Sequence, residues 1–174
     1  MDSAIVDQDQ QYQAAADIHG SALERLAGGY ERDPGLRRDL VQDIHVALWR
    51  SFAAFDGRCS VRTWTFRVAH NVATSHVLRR KRDRGKWLGI DEIADPPAPD
   101  NPEATTGDKR AMDRLLDLIR TLKPADRQVL MLYLEDLNAA EIGEITGLSP
   151  GAVSVRIHRL KALLTIRFHD GRPT

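Results

Sequence analysis

The chain has 174 residues, with 25 Lys+Arg against 25 Asp+Glu, 42% hydrophobic residues and one cysteine, Cys59. That length suits one ordinary domain or two small ones, and the composition is globular, which argues against wholesale disorder. A lone cysteine excludes an internal disulfide and a multi-thiolate zinc site, and it fits a reducing cytosol. No apolar run approaches the ~20 residues of a membrane helix. The opening MDSAIVDQDQ lacks the basic start and apolar core of a secretion signal. The expectation is a cytoplasmic protein without membrane insertion.

Taken along the chain, helical periodicity recurs and alternating β-branched runs do not, so the fold class read here is all-α. The pattern predicts a first helix around residues 12–26, ended by Gly28-Gly29. Leu40, Val41, Ile44, Ala47 and Leu48 then mark a second helix, with Asp39, Gln42, Asp43 and His45 on other faces. Residues 55–60 (FDGRCS) read as a loop with Ser60 as N-cap. Trp64, Val68, Val72 and His76 continue into a third helix that runs into a basic stretch, Arg79, Arg80, Lys81, Arg82, Arg84 and Lys86.

Residues 95–102 (DPPAPDNP) hold four of the eight prolines and block regular structure. With acidic flanks they form a linker over 91–108, and residues 91–110 carry 6 acidic against 2 basic groups. Two small helical domains follow from this: an N-terminal bundle over 12–90 and a C-terminal unit over 109–170, joined flexibly.

The C-terminal unit is better punctuated. A helix over 112–122 precedes Pro124, which opens the next, with Val129, Leu130, Leu132 and Tyr133 as its apolar face. Asn138 with Glu141 is a capping pair, Gly147 a helix-ending C′ residue, and Ser149-Pro150 an N-cap followed by N1. A short helix, a glycine-bearing turn and a longer helix form a helix-turn-helix. Val153, Ile157, Leu160 and Leu164 make the inward stripe of the last helix. The opposite face shows Gly151, Ala152, Val155, His158 and Arg159, flanked by Ser154 and Arg156, small at its start and basic further on. Such a face suits a DNA major groove.

In the first unit, Arg62, Trp64, Phe66, Arg67, His70 and Asn71 interleave rings, cations and an amide as single-stranded DNA binding requires. Spacing alone fits Trp64 equally well to core packing, and a basic run such as 79–86 is most often a solvated face. Catalytic and metal chemistry find no support. The six histidines offer no i, i+4 pair, and no phosphate-binding or nucleophile motif occurs, so neither cofactor nor metal is expected.

These segments resemble the extracytoplasmic-function group of sigma-70 factors. Residues 39–49 (DLVQDIHVALW) are similar to that family's polymerase-binding helix. Phe55-Asp56, Ser60, the Arg62-Thr63-Trp64 triplet and residues 67–71 are similar to its promoter-melting segment. Residues 122–130, 140–145 and 148–159 are similar to its −35-reading domain. The resemblance implies core-polymerase binding by Asp39, Leu40, Gln42 and Asp43. It implies −10 contacts by Asp56, Ser60, Arg62, Trp64, Arg67, Asn71, Arg79 and Arg80, and −35 contacts by Ser149, Ala152, Val155, Arg156, His158 and Arg159. Core RNA polymerase, promoter DNA and an anti-sigma factor are the implied partners. Ser75 stands where the family often has Asp, and residues 152–156 (AVSVR) differ from its usual recognition helix. A stand-alone helix-turn-helix regulator and a helical interaction protein are the alternatives; neither requires residues 39–49.

Overall fold

Asp33 and Pro34 show how local chemistry sets the first helix boundary. The Asp33 carboxylate accepts the Leu36 N–H at 2.9 Å, and Pro34 occupies the first turn, where no donor is missed. The computed structural model describes residues 2–85 and 107–170, and those residues form helices without strands. They are α1 (Asp2–Tyr30), α2 (Pro34–Phe52), α3 (Val61–Gly85), α4 (Gly107–Thr121), α5 (Pro124–Leu134), α6 (Ala139–Thr146) and α7 (Pro150–Asp170). The proline-rich stretch and most of the expected linker lie outside the described residues, and α4 starts inside the range expected to be linker.

Helices α1–α3 pack as a bundle around Leu23, Leu26, Leu40, Ile44, Leu48, Phe66 and Ala69, all essentially buried. Helices α4–α7 close on Ile119, Val129, Leu130, Leu132, Ile142 and Val153. Burying such side chains stabilises each unit by roughly 1.5–3 kcal/mol per large residue.

Two expectations need correction. Gly28-Gly29 does not end α1, which runs on to Tyr30. Gly29 serves close approach, whereas a Cβ on Gly28 would make only ordinary contacts. A Cβ on Gly29 would lie 2.5 Å from the Met131 sulfur of α5. Tyr133, expected on the apolar face of α5, is 36% exposed. Its neighbours Leu132 and Val129 fill the core, and the ring instead meets the Lys161 ammonium at 5.6 Å.

Candidate nucleic-acid interface

The helix-turn-helix is fixed by its caps. Asn138 Oδ1 accepts the N–H groups of Ala140 and Glu141, and the Glu141 carboxylate accepts the Asn138 N–H. Gly147 takes φ 78°, a left-handed conformation that favours glycine. At Gly143 a Cβ would stand 2.6 Å from the Leu148 carbonyl oxygen, so only glycine lets the turn fold this tightly against α6. Ser149 Oγ accepts the Ala152 N–H at 3.2 Å and caps α7.

Val153 and Leu160 of α7 are buried, which turns Ala152, Val155, His158 and Arg159 outward together with the N-cap Ser149. Val155 is 58% exposed, an apolar side chain in the middle of an open face. Arg156 sits at the flank and pairs with Asp126 of α5 at 3.5 Å, so it is held beside this face rather than on it.

The start of α3 is organised by aromatic packing. Ser60 Oγ accepts the Thr63 N–H at 3.0 Å. The Trp64 indole N–H donates to Ser51 Oγ at 2.9 Å, and its ring packs on Phe55, which meets Phe52 edge-on. Trp64 is therefore a half-buried wedge that holds the 53–60 loop to the bundle, the packing arrangement that its spacing also allowed. Asp56 folds the loop around Gly57 by accepting the Arg58 N–H and pairing with its guanidinium at 2.9 Å. Asn71 and Arg79 are exposed.

Arg80 turns inward instead. It stands 3.5 Å from Glu31, which His76 meets at 2.9 Å. Burial works to raise the Glu31 carboxyl. The His76 and Asp33 hydrogen bonds and the Arg80 charge together outweigh burial and hold it below the usual range. Next to this cluster, burial pushes the His70 imidazole down to about 3, and its Nδ1 lies 2.8 Å from the Tyr30 hydroxyl.

On α2, Asp39, Gln42 and Asp43 form an exposed polar surface. Leu40 does not belong to it. It is fully buried between α2 and the bundle, so its contribution is to hold the helix, and the expectation of a direct contact is corrected. The same surface includes residues not singled out from sequence, Val46 at 43% and Trp49 at 38% exposure. The Trp49 indole donates to Asp9 at 2.7 Å and its carbonyl accepts from Gln8, while the Tyr12 hydroxyl lies 3.0 Å from His45 Nδ1. No local signal joins residues 8–12 to residues 45–49; only the antiparallel packing of α1 on α2 does.

The two helical units touch, and they touch through the α3 arginines. Arg62 donates to the Glu135 carbonyl at 2.6 Å and stands 3.7 Å from the Glu141 carboxylate; Arg67 donates to the Glu144 carbonyl at 2.9 Å. Arg25 forks onto the Glu135 carboxylate at 2.8 and 2.7 Å. Arg120 caps the end of α1 by donating twice to the Gly28 carbonyl. The Arg127 guanidinium lies 5.3 Å from the centre of the Tyr30 ring. Beside these contacts a groove of ≈ 730 Å³ runs between the units, floored by Val41, Leu115, Leu116 and Met131 and edged by Arg37 and Arg38. In this arrangement the outward face of α7 is open, while Arg62 and Arg67 are occupied by the other unit.

Comparison with known families matches "Sigma-70 region 2" over residues 16–83 and "Sigma-70, region 4" over residues 112–164, in that order and together more than half of the chain. The chain belongs to the sigma-70 family. Its relatives place this sigma factor in the extracytoplasmic-function group. It is 28% identical over 144 residues to RNA polymerase sigma factor CarQ of Myxococcus xanthus, covering 81% of this chain and 79% of the relative. To ECF RNA polymerase sigma factor SigW of Bacillus subtilis it is 24% identical over 146 residues, covering 76% and 75%. In fold it is similar to CnrH, solved in complex with the cytosolic domain of CnrY, with a TM-score of 0.69 at 22% identity over 98% of this chain and 95% of that one. Among the described residues, no helix of this sigma factor is long and apolar enough to cross a membrane.

Proposed function

We infer that this sigma factor acts in the cytoplasm as a transcription initiation factor rather than an enzyme. It directs core RNA polymerase to a promoter and helps to open it. The domain assignment that goes with this reading is polymerase binding and −10 recognition over 12–90, an acidic linker over 91–108, and −35 recognition over 109–170. Asp39, Gln42 and Asp43 offer the polymerase a polar docking surface. Asn71, with Arg62 and Arg67 once released, meets the −10 strand; Asp56 and Ser60 shape the loop beside it, and Arg79 tracks phosphate. Ala152, Val155, His158 and Arg159 enter the −35 major groove, with Ser149 and Arg156 at the backbone.

The observation that carries this reading is the pairing of an open recognition helix with an exposed Asn71 ridge on a second helical unit. Promoter elements lie too far apart for one small rigid body, so the contacts of Arg62 and Arg67 with Glu135 and Glu144 must break when both are bound. A second protein is part of the reading, because the structurally similar CnrH was solved with the cytosolic domain of CnrY. An anti-sigma partner of that kind would hold the units together.

The test is reconstitution. Purified chain and bacterial core polymerase should open a defined site on supercoiled DNA, and Asn71→Ala should lower the yield of open complex. A template with a pre-melted bubble should recover part of that loss. Equal yields on duplex DNA for the two proteins would contradict the role of Asn71, and no site-specific initiation by wild type would contradict the function.

A further inference from the structure

Along α3, Asn71, Ser75, Leu78 and Arg82 are spaced i, i+4, i+7 and i+11, and all four are exposed. They form one ridge. The other large apolar residues of the central part of this helix turn inward: Phe66 is buried, and Val68, Val72 and Val77 pack against the core. Leu78 is left 53% exposed, between the exposed cations Arg79, Lys81 and Arg82. An isolated exposed leucine is unremarkable on a neutral surface. Here it stands among cations that would draw phosphate close, which would bring an apolar group on this ridge within reach of base edges once DNA is bound.

We propose that Leu78 is a specificity-determining residue that contacts the C5-methyl group of a thymine at the duplex flank of the −10 element. This rests on the promoter-opening function inferred above. Leu78 lies seven residues beyond Asn71, about 10 Å along the helix at ~1.5 Å per residue. A base pair rises about 3.4 Å, so the thymine lies about three positions from the base that Asn71 meets. A thymine methyl is the apolar feature of the major groove and takes apolar side chains. Arg79 and Arg82 hold the adjacent phosphates and set the approach, carrying affinity but no sequence preference.

The contact can be tested by removing its apolar group from either side, the thymine methyl or the leucine side chain. Holoenzyme reconstituted with wild-type chain is used to select a −10 consensus from a randomised promoter library. Each thymine of that consensus and its flank is then replaced by deoxyuridine, which pairs identically but lacks the methyl. With wild type, one position about three base pairs from the Asn71-sensitive base should lose about threefold to fivefold in open-complex formation, the effect of one buried methyl. With Leu78→Ser the same replacement should have no effect, and selection at that position should relax. Persistence of the deoxyuridine effect in the variant, or absence of any such position, overturns the proposal. Leu78→Ser should lower thermal unfolding by no more than the small helix-propensity difference between Leu and Ser; a larger drop, as loss of a packed leucine gives, would make Leu78 a packing residue and also overturns the proposal. Wild type that selects no −10 consensus refutes the promoter function itself, whereas a consensus without a Leu78-dependent thymine refutes only this contact.

Discussion

Reversing the charge at Glu135 should open the two helical units. Its carboxylate is 9% exposed and is gripped by both arms of the Arg25 guanidinium, while its carbonyl holds Arg62. Arg25 is 58% exposed, so solvent screens the pair, and its contribution is about 1 kcal/mol at most. In Glu135→Arg that contribution disappears, and a new cation faces Arg25 and Arg62, adding about 1 kcal/mol of repulsion at contact distance in a water-like medium. Together about 2 kcal/mol corresponds to a shift of roughly thirtyfold between closed and open forms. Fluorescence transfer between a dye on Cys59 and one on Ala162→Cys reports the separation of the units. Transfer should fall in Glu135→Arg at about 0.1 M salt, and the difference should shrink near about 1 M, where the screening length is about 3 Å. The free variant should also bind a single-stranded −10 oligonucleotide more tightly, because Arg62 and Arg67 are released. Identical transfer in both proteins at every salt concentration would refute the idea that these ion pairs hold the units together.

Charge reversal at Asp43 should weaken binding to core polymerase and leave thermal unfolding almost unchanged, as an exposed site requires; a direct titration against core measures it. Val155→Ser should alter the −35 consensus selected from a random library without changing salt dependence. Arg156→Ala should reduce the salt slope by no more than about one counterion, because Asp126 already neutralises part of that charge. Stability should also depend on His70, which folding keeps neutral with a pKa of about 3 against an ordinary 6.5. The unfolded chain binds the extra proton between those values. His70 therefore gives its full contribution above about pH 6.5 and loses up to about 1.4 kcal/mol per pH unit as pH falls toward 3. Urea unfolding of His70→Gln should show a flatter acid limb than wild type.

Much of the C-terminal unit is legible in sequence because its signals are local. Asn138 with Glu141, Gly147, and Ser149-Pro150 each act within one helical turn, and the stripe from Val153 to Leu164 fixes which face of α7 turns out. The all-α class and the inward side of α2 follow from periodicity in the same way. Residues that face both ways chemically are a different matter. Trp64 could stack on a base or pack on Phe55, and only the position of Ser51 and the aromatic pair decides for packing. Arg80 reads as one cation in a basic run until α1 brings Glu31 beside it. Gly28-Gly29 reads as a helix stop until α5 places Met131 against Gly29. Arg62 and Arg67 read as polar side chains on an open helix face, yet their partners in this structure are carbonyls more than seventy residues away. Local sequence sets backbone propensity and the side a residue faces. What it meets there depends on long-range packing between elements, and in this sigma factor that packing joins Arg62 and Arg67 of α3 to the loop and helix that precede the recognition helix.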